Sequence, residues 1–348
     1  MRQASTMSEP ASTTLTARDY NNRGALRHAR GELDAARRDY ETALRLDPSD
    51  ATALNNLGFL LMQTGEAAEA IPLLRRSIAA DPKRAMSQAH LGGALALTGD
   101  LPQARAALRQ AVEMDPSCAP AWDSLAQTAM ALGDYPQAEE AYRRAAALDP
   151  DNPALHAGLG AVLMIQRRLG DAAPCFQRAI RLNPQDASAW AQLGTLCFLR
   201  QDYGAATEML QRAAQLQPDR GDTLHQLAMV LTARGDTANA ARVLRARLEL
   251  DPGNAEALID LSVLELSAGQ SRSALDLLDR ALAGPAGADS AGTDSGTAFR
   301  GRYYRAVTLA ALGQIEDARR AMAALAAEAS GHPYGQRARD FLSGPGKE

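Results

Sequence analysis

The sequence predicts an all-α protein laid out as a linear array of helix pairs, and three observations carry that prediction. Pro48, Pro82, Pro116, Pro150, Pro184, Pro218 and Pro252 stand 34 residues apart, six equal steps in succession. A period of that length is one two-helix unit that buries its apolar face only against its neighbours. Hydrophobic residues make 46% of the 348 but aromatic ones only 4%, so the apolar content is mainly Ala and Leu, which are strong helix formers. Small residues also recur at two fixed points of the period, where two helices can approach closely.

Most of these prolines close a phrase such as Leu46-Asp47-Pro48 or Leu250-Asp251-Pro252. Proline lacks the N–H that a helix interior needs, so the phrase stops the preceding helix. With proline at position 32, the repeats run 17–50, 51–84, 85–118, 119–152, 153–186, 187–220 and 221–254. Position 8 reads Gly24, Gly58, Gly92, Ala126, Gly160, Gly194 and Ala228, and position 20 reads Ala36, Ala70, Ala104, Ala138, Ala172, Ala206 and Ala240. Position 24 carries a large partner, from Tyr40 and Leu74 to Phe176 and Leu244.

Between the two helices a turn is expected at Gly31, Gly65, Gly99, Gly133 and Gly235, each followed by Glu or Asp. Acids suit the N-terminal end of the second helix. The fifth repeat departs, with Arg167 at the turn position and Gly170 three residues later. An eighth repeat, 255–288, keeps Ser262, Gly269, Ala274 and Ala281, so eight repeats fill 17–288. The stretch 284–298 is rich in Gly, Ser and Asp and has no large apolar residue, which reads as a flexible insertion. A further helix pair is expected to resume at Phe299, with Ala306, Gly313 and Ala318 in register, and a short capping helix at 336–342 completes the segment 299–342. Residues 1–16 and 343–348 read as a disordered N-terminal segment and a tail.

This pattern resembles the tetratricopeptide-repeat family, a 34-residue helix-turn-helix with the Leu-Gly, Ala and Pro positions given above. The resemblance covers about nine units from Ala17 to Ala329. It implies an α-solenoid, a right-handed superhelix of helix pairs, with a concave groove lined by the first helix of each repeat. The family is a binding scaffold used in many unrelated processes, so the resemblance bears on architecture more than on role.

Several classes of chemistry are disfavoured. A net charge of -4 gives no basic footprint for nucleic acid. Lys83 and Lys347 are the only lysines, and neither sits in a phosphate-cradling Gly-rich loop. His28, His90, His156 and His225 fall at positions 12, 6, 4 and 5 of their repeats, so none stack as metal ligands. The motifs His-Glu-x-x-His and Gly-x-Ser-x-Gly are absent. The expectation is therefore no enzyme, with no catalytic residue, no cofactor and no metal. Cys118, Cys175 and Cys197 form no Cys-x-x-Cys pair, which fits a reducing compartment. No signal-like or 18-residue apolar run occurs. Together these suggest a cytoplasmic protein without membrane insertion. Trp122 and Trp190 share position 4 and read as packing residues rather than stacking platforms.

What remains is the stripe of first-helix positions 2, 5, 9 and 12, flanked by 6 and 13, which shares one helical face and lines the groove that the resemblance implies. It is polar at first, with Arg18, Asn21, Asn22, Asn55, Asn56, Phe59 and Met62. It then turns small and apolar, with Met86, His90, Met130, Met164 and Phe198, and ends among acids with His225 and Met229. An asparagine amide donates and accepts at once, and methionine adapts to varied apolar anchors. The stripe suits an extended or helical peptide of a partner protein. The pairs Asn21-Asn22 and Asn55-Asn56 look like the start of the asparagine ladder of glycosyltransferase-associated members, but His90, Ser124 and Gly158 break it. With no groove lysine, the carboxylate clamp for chaperone tails is disfavoured. The reading is a protein-interaction scaffold or adaptor, and the lysine-poor, arginine-rich composition hints at a bacterial source. Its alternatives are a targeting module for a separately encoded glycosyl- or sulfo-transferase and a bacterial pilus or polysaccharide assembly factor.

Overall fold

The computed structural model describes residues 15–283 and 295–344, and all described secondary structure is α-helical, with no strand among those residues. The helices fall into two compact bodies, divided after Leu182. The N-terminal body holds α1 (Ala17–Ala29), α2 (Leu33–Leu46), α3 (Ala51–Gln63), α4 (Ala67–Ala80), α5 (Ala85–Leu97), α6 (Leu101–Met114), α7 (Ala119–Ala131), α8 (Tyr135–Leu148), α9 (Pro153–Ile165) and α10 (Leu169–Leu182). The C-terminal body holds α11 (Ala187–Leu199), α12 (Tyr203–Leu216), α13 (Gly221–Ala233), α14 (Thr237–Leu250), α15 (Ala255–Ser267), α16 (Ser271–Ala283), α17 (Ser295–Ala311), α18 (Ile315–Glu328) and α19 (Pro333–Ser343). Within each body every odd helix packs on the even helix after it, and that helix on the next odd one. Successive first helices α1, α3, α5, α7 and α9 also touch one another.

Residues 1–14, 284–294 and 345–348, which take in most of the expected disordered segment, insertion and tail, lie outside the described residues. Thr16 forms a capping box with Asp19 at the start of α1. Residues 295–298 belong to α17, so the last helix pair begins four residues ahead of Phe299.

The 34-residue period works through contacts between positions 8 and 24. A Cβ placed on Gly92 would stand 2.4 Å from Leu108 Cγ, and on Gly160 it would stand 2.8 Å from the Phe176 ring. The missing side chain is thus the space that the second helix's large residue fills, and adding bulk there costs about 1–3 kcal/mol. The position 20 alanines, such as Ala36, Ala70, Ala104 and Ala172, are fully buried. The buried stripe of the first helices also takes in positions 3 and 10, among them Ala53, Ala121, Leu155, Leu60, Val162 and Leu196. The first repeat closes its outer end differently: Arg23 and Arg27, at positions where the next two repeats carry leucine, pair with the buried Asp39 at 2.6 and 2.8 Å.

The turns share one left-handed geometry. Gly31, Gly65, Gly99, Gly133 and Gly235 have φ between 75° and 88°, where a Cβ is costly. Arg167 and Gln201 adopt the same conformation at φ 63° and 62°. Their turns close with the same backbone bonds, Arg168 N to Leu163 O and Asp202 N to Cys197 O, both 2.9 Å. The fifth repeat's turn is therefore not shifted to Gly170, which lies inside α10. Asp100, Asp134 and Asp236 cap their second helices by accepting a backbone N–H three residues on. Glu32 and Glu66 make no such bond, and Glu66 instead accepts from Arg37 at 2.8 Å.

The period-closing prolines also tie repeats together through their carbonyls. Trp122 Nε1 donates to Pro116 O at 2.9 Å and Trp190 Nε1 to Pro184 O at 3.0 Å, while His156 Nε2 lies 2.9 Å from Pro150 O. Position 4 thus joins packing to a hydrogen bond from one repeat to the carbonyl that ends the repeat before it. Arg76 donates to Pro48 O at 2.7 Å from the second helix, in the same sense.

Candidate functional site

In the N-terminal body the polar end of the first-helix face is a side-chain network across three helices. Asn21 on α1 and Asn55 on α3 are only 6% and 5% exposed. Asn56 Nδ2 donates to Asn21 Oδ1 at 3.0 Å. Asn55 Oδ1 accepts from His90 Nδ1 at 2.8 Å and from Ser87 Oγ at 3.4 Å. Ser87 in turn meets Ser77 at 2.8 Å, and Ser77 donates to the Ala51 carbonyl at 2.7 Å. Burial pushes His90 down to about 4, so its ring is neutral, and the Asn55 acceptor places its proton on Nδ1. Buried polar groups cost free energy unless paired, and here each pairs across the junction between repeats.

Three rings from successive first helices lie over this network. Phe59 stacks on His90 with centroids 4.6 Å apart and 14° between planes, and His28 follows Phe59 at 5.6 Å. His28 Nε2 is 2.6 Å from Gln63 Oε1. A shallow depression of about 420 Å³ lies among His28, Tyr40, Asn56, Phe59 and Gln63. Arg18 and Asn22 are exposed on the same helix as Asn21.

Further along, the face is apolar and built of small residues. Met62 crosses from α3 to α5, its Cε within 2.8 Å of where a Cβ on Gly93 would sit. Met86 is 39% exposed, and Met130 and Met164 are half-buried. Asp123, which the sequence reading passed over, stands at position 5 of α7, where α5 and α9 carry Ala89 and Ala157. Its signal was legible as a lone charge among alanines.

In the C-terminal body, Phe198 meets Tyr203 at 5.8 Å. His225 and Met229 line a cleft of about 390 Å³ with Thr232, Asp260, Val263 and Arg300. Asp260 accepts from Arg300 at 2.5 Å and lies 3.6 Å from His225 Nδ1. Burial weighs against the Arg300 charge, and the adjacent Asp260 carboxylate more than offsets it, so its pKa is raised.

Among the described residues no group of three or more His, Cys, Asp and Glu could hold a metal ion, and no helix is long and apolar enough to cross a membrane. Burial pushes the Cys175 and Cys197 thiols up, away from the thiolate that a nucleophile needs.

A family model described as "Cilia and flagella-associated protein 70 C-terminal domain" matches residues 2–262. No curated protein matches the chain in sequence. Among solved structures, the anaphase-promoting-complex assembly Cut9-Hcn1 aligns at 20% identity and TM-score 0.54, over 77% of this chain and 52% of that one. Pseudomonas aeruginosa PilF aligns at 22% identity and TM-score 0.53, over 58% of this chain and 92% of its own. YrrB, titled a TPR protein with an unusual peptide-binding site, aligns at 21% identity and TM-score 0.47, over 57% of this chain and 97% of its own. With 458 chains matching, structural likeness at this identity speaks to fold and selects no single role.

Proposed function

The chain belongs to the tetratricopeptide-repeat family of the cilia and flagella-associated protein 70 C-terminal domain, and from that premise we propose that it is a non-enzymatic scaffold that holds a partner's peptide on the first-helix face of its N-terminal body. The observation that carries the reading is the row of partly exposed apolar side chains, Phe59, Met62, Met86, Met130 and Met164, lying among residues as small as Gly93, Ala157 and Ala161. Apolar surface arranged in a row suits apolar anchors of a bound segment. First helices of packed repeats lie about 9 Å apart, so an extended peptide would cross each one in about three residues.

The polar candidates support this differently from the apolar ones. Asn21 and Asn55 are spent on the network between helices, whereas Asn22 and Arg18 stay exposed at its edge. Apolar contact is therefore the main grip in this proposal, with hydrogen bonds at one end.

The test charges two groove positions, the exposed Met86 and the half-buried Met130, which also packs on the core of its repeat. Met86→Glu is expected to cost about 0.5 kcal/mol and Met130→Glu, which charges a half-buried site, about 1–3 kcal/mol, so the double variant should melt several degrees lower and stay folded, as circular dichroism checks. The pair should weaken capture of the principal partner at least tenfold, since each charge opposes a desolvated anchor worth about 1–3 kcal/mol. Undiminished capture by the double variant, together with loss on charge reversal of Arg143 and Arg144 on α8, would move the binding surface to the second helices.

A further inference from the structure

We propose that Asp123 is the specificity-determining residue of this face, and that it reads a lysine or arginine side chain of a bound peptide whose apolar residues lie on Met130 and Met164. The inference rests on the peptide-binding reading above and adds the charge that the partner must carry.

Across positions 2, 5, 6, 9, 12 and 13 of α5, α7 and α9, Asp123 is the one acidic residue, and there is no lysine or arginine. His90, the remaining titratable group there, is neutral, since burial holds it at about 4. The position 5 neighbours, Ala89 and Ala157, are too short to reach over it.

Among the described residues Asp123 also has no cationic partner of its own. Its hydrogen bond comes from Gln127 Nε2 at 3.0 Å, one turn along the same helix. Other carboxylates of this kind either cap a helix by accepting backbone N–H, as Asp50, Asp100, Asp186 and Asp236 do, or are held by arginine, as Asp39 is by Arg23 and Arg27, Glu139 by Arg143 and Arg168, and Asp260 by Arg300; Asp123 does neither. Partial burial pushes the Asp123 carboxyl up, with the Gln127 bond opposing. The nearby Tyr142 phenol is driven to about 12, first by its own burial and then by the Asp123 charge, so it stays neutral and adds no charge beside the carboxylate. A half-desolvated carboxylate without a counter-charge is destabilised. An ammonium or guanidinium arriving on a ligand would supply what the chain omits.

The geometry sets the ligand pattern. Asp123 and Met130 lie seven residues apart on α7, on one side of the helix, and Met164 sits one repeat further, at the position in α9 that Met130 holds in α7. A basic side chain flanked by an apolar one is therefore the complementary pair.

The experiment selects a phage-displayed random dodecapeptide library on the intact wild-type chain, Asp123→Asn and Asp123→Arg, with circular dichroism checking that each variant is folded. Wild type should enrich peptides with Lys or Arg at one fixed place beside apolar residues. Those peptides should bind Asp123→Asn at least tenfold more weakly, and Asp123→Arg should enrich Asp or Glu at the same place. Replacing the selected arginine by citrulline should reproduce the loss on the wild-type protein. Peptides that ignore both Asp123 variants but are lost on Met130→Glu overturn this assignment and leave the groove reading standing. Peptides indifferent to Met130→Glu as well, or a library without binders, overturn both.

Discussion

Along α1, α3 and α5 the first-helix face is joined by side chains, with Asn56 on Asn21, His90 on Asn55, and Phe59 stacked on His90. Along α7 and α9 the same helical positions carry Ala157, Gly158, Ala161, Met130 and Met164, with Asp123, Ser124 and Gln127 as the polar residues, and the hydrogen bond between Asp123 and Gln127 stays on its own helix. The backbone repeat is the same at both ends, so the difference lies in what the exposed stripe is used for. Where polar side chains bond across repeats they add adhesion, and their donors and acceptors are no longer free for a ligand. Where they are absent, the repeats hold together by the buried contacts alone and the stripe stays available. The face thus divides into a region that stabilises the stack and a region that can bind.

The largest expected effect tests the joined region with acid. His90 has a folded value of about 4 against 6.5 for the free side chain, so as pH falls the unfolded chain takes up the proton first. The stability that the neutral ring contributes is complete above about pH 6.5 and is lost as pH falls through 4, on the order of 3 kcal/mol in all. His90→Gln keeps a hydrogen-bonding side chain without the titration. The urea midpoint of wild type should therefore fall more steeply than that of the variant between pH 6.5 and 4. Parallel curves would mean that burial does not hold His90 neutral in the folded chain.

Much of this architecture was open to reading in the sequence, because a 34-residue period repeats one contact many times. Gly92 against Leu108 and Gly160 against Phe176 are the same event, and seven copies make the register plain. The turn at Arg167 was less legible, since residue type points to Gly170 while the count of residues points to 167. The count was the better guide, because the backbone bond closing the turn depends on spacing. The network was not legible, since Asn21 and Asn56 meet only when two repeats stack. A polar residue on an otherwise outward stripe reads as solvated until its partner on the next helix is known. Asp123 was overlooked for the converse reason: among alanines it looked incidental, and its meaning came from the absence of any arginine beside it.

The next effect in size is Asn55→Ala. The change removes the acceptor of His90 Nδ1 and the longer of two contacts of Ser87 Oγ, which keeps Ser77 Oγ at 2.8 Å, so the His90 N–H is the donor left buried without this acceptor. An unpaired buried group costs about 1–3 kcal/mol, and the long Ser87 contact adds little to that, so a loss of about 2 kcal/mol is expected. Repeats contact only their neighbours, which confines the damage. Amide hydrogen exchange should speed up in α1, α3 and α5 and stay unchanged in α9. Uniform loss of protection across the N-terminal body would erase the division drawn above.

The smallest effect is the counterpart on the open region, Asp123→Asn. The amide keeps the shape of the carboxylate and can still bond to Gln127, but it carries no charge to desolvate. The sign follows from the direction of the shift: burial raises the carboxyl's pKa in the folded state, so the charged form is better accommodated in the unfolded chain. Removing the charge should leave stability within about 0.5 kcal/mol of wild type and on the stabilising side. The gain should be present at neutral pH and vanish in acid, once the wild-type carboxyl is itself protonated. Urea midpoints of the two proteins at neutral pH and at pH 3 measure it. A clear loss of stability at neutral pH would show that Asp123 already has a favourable partner within the chain, which would return it to the same role as Asn55 and leave the two regions alike.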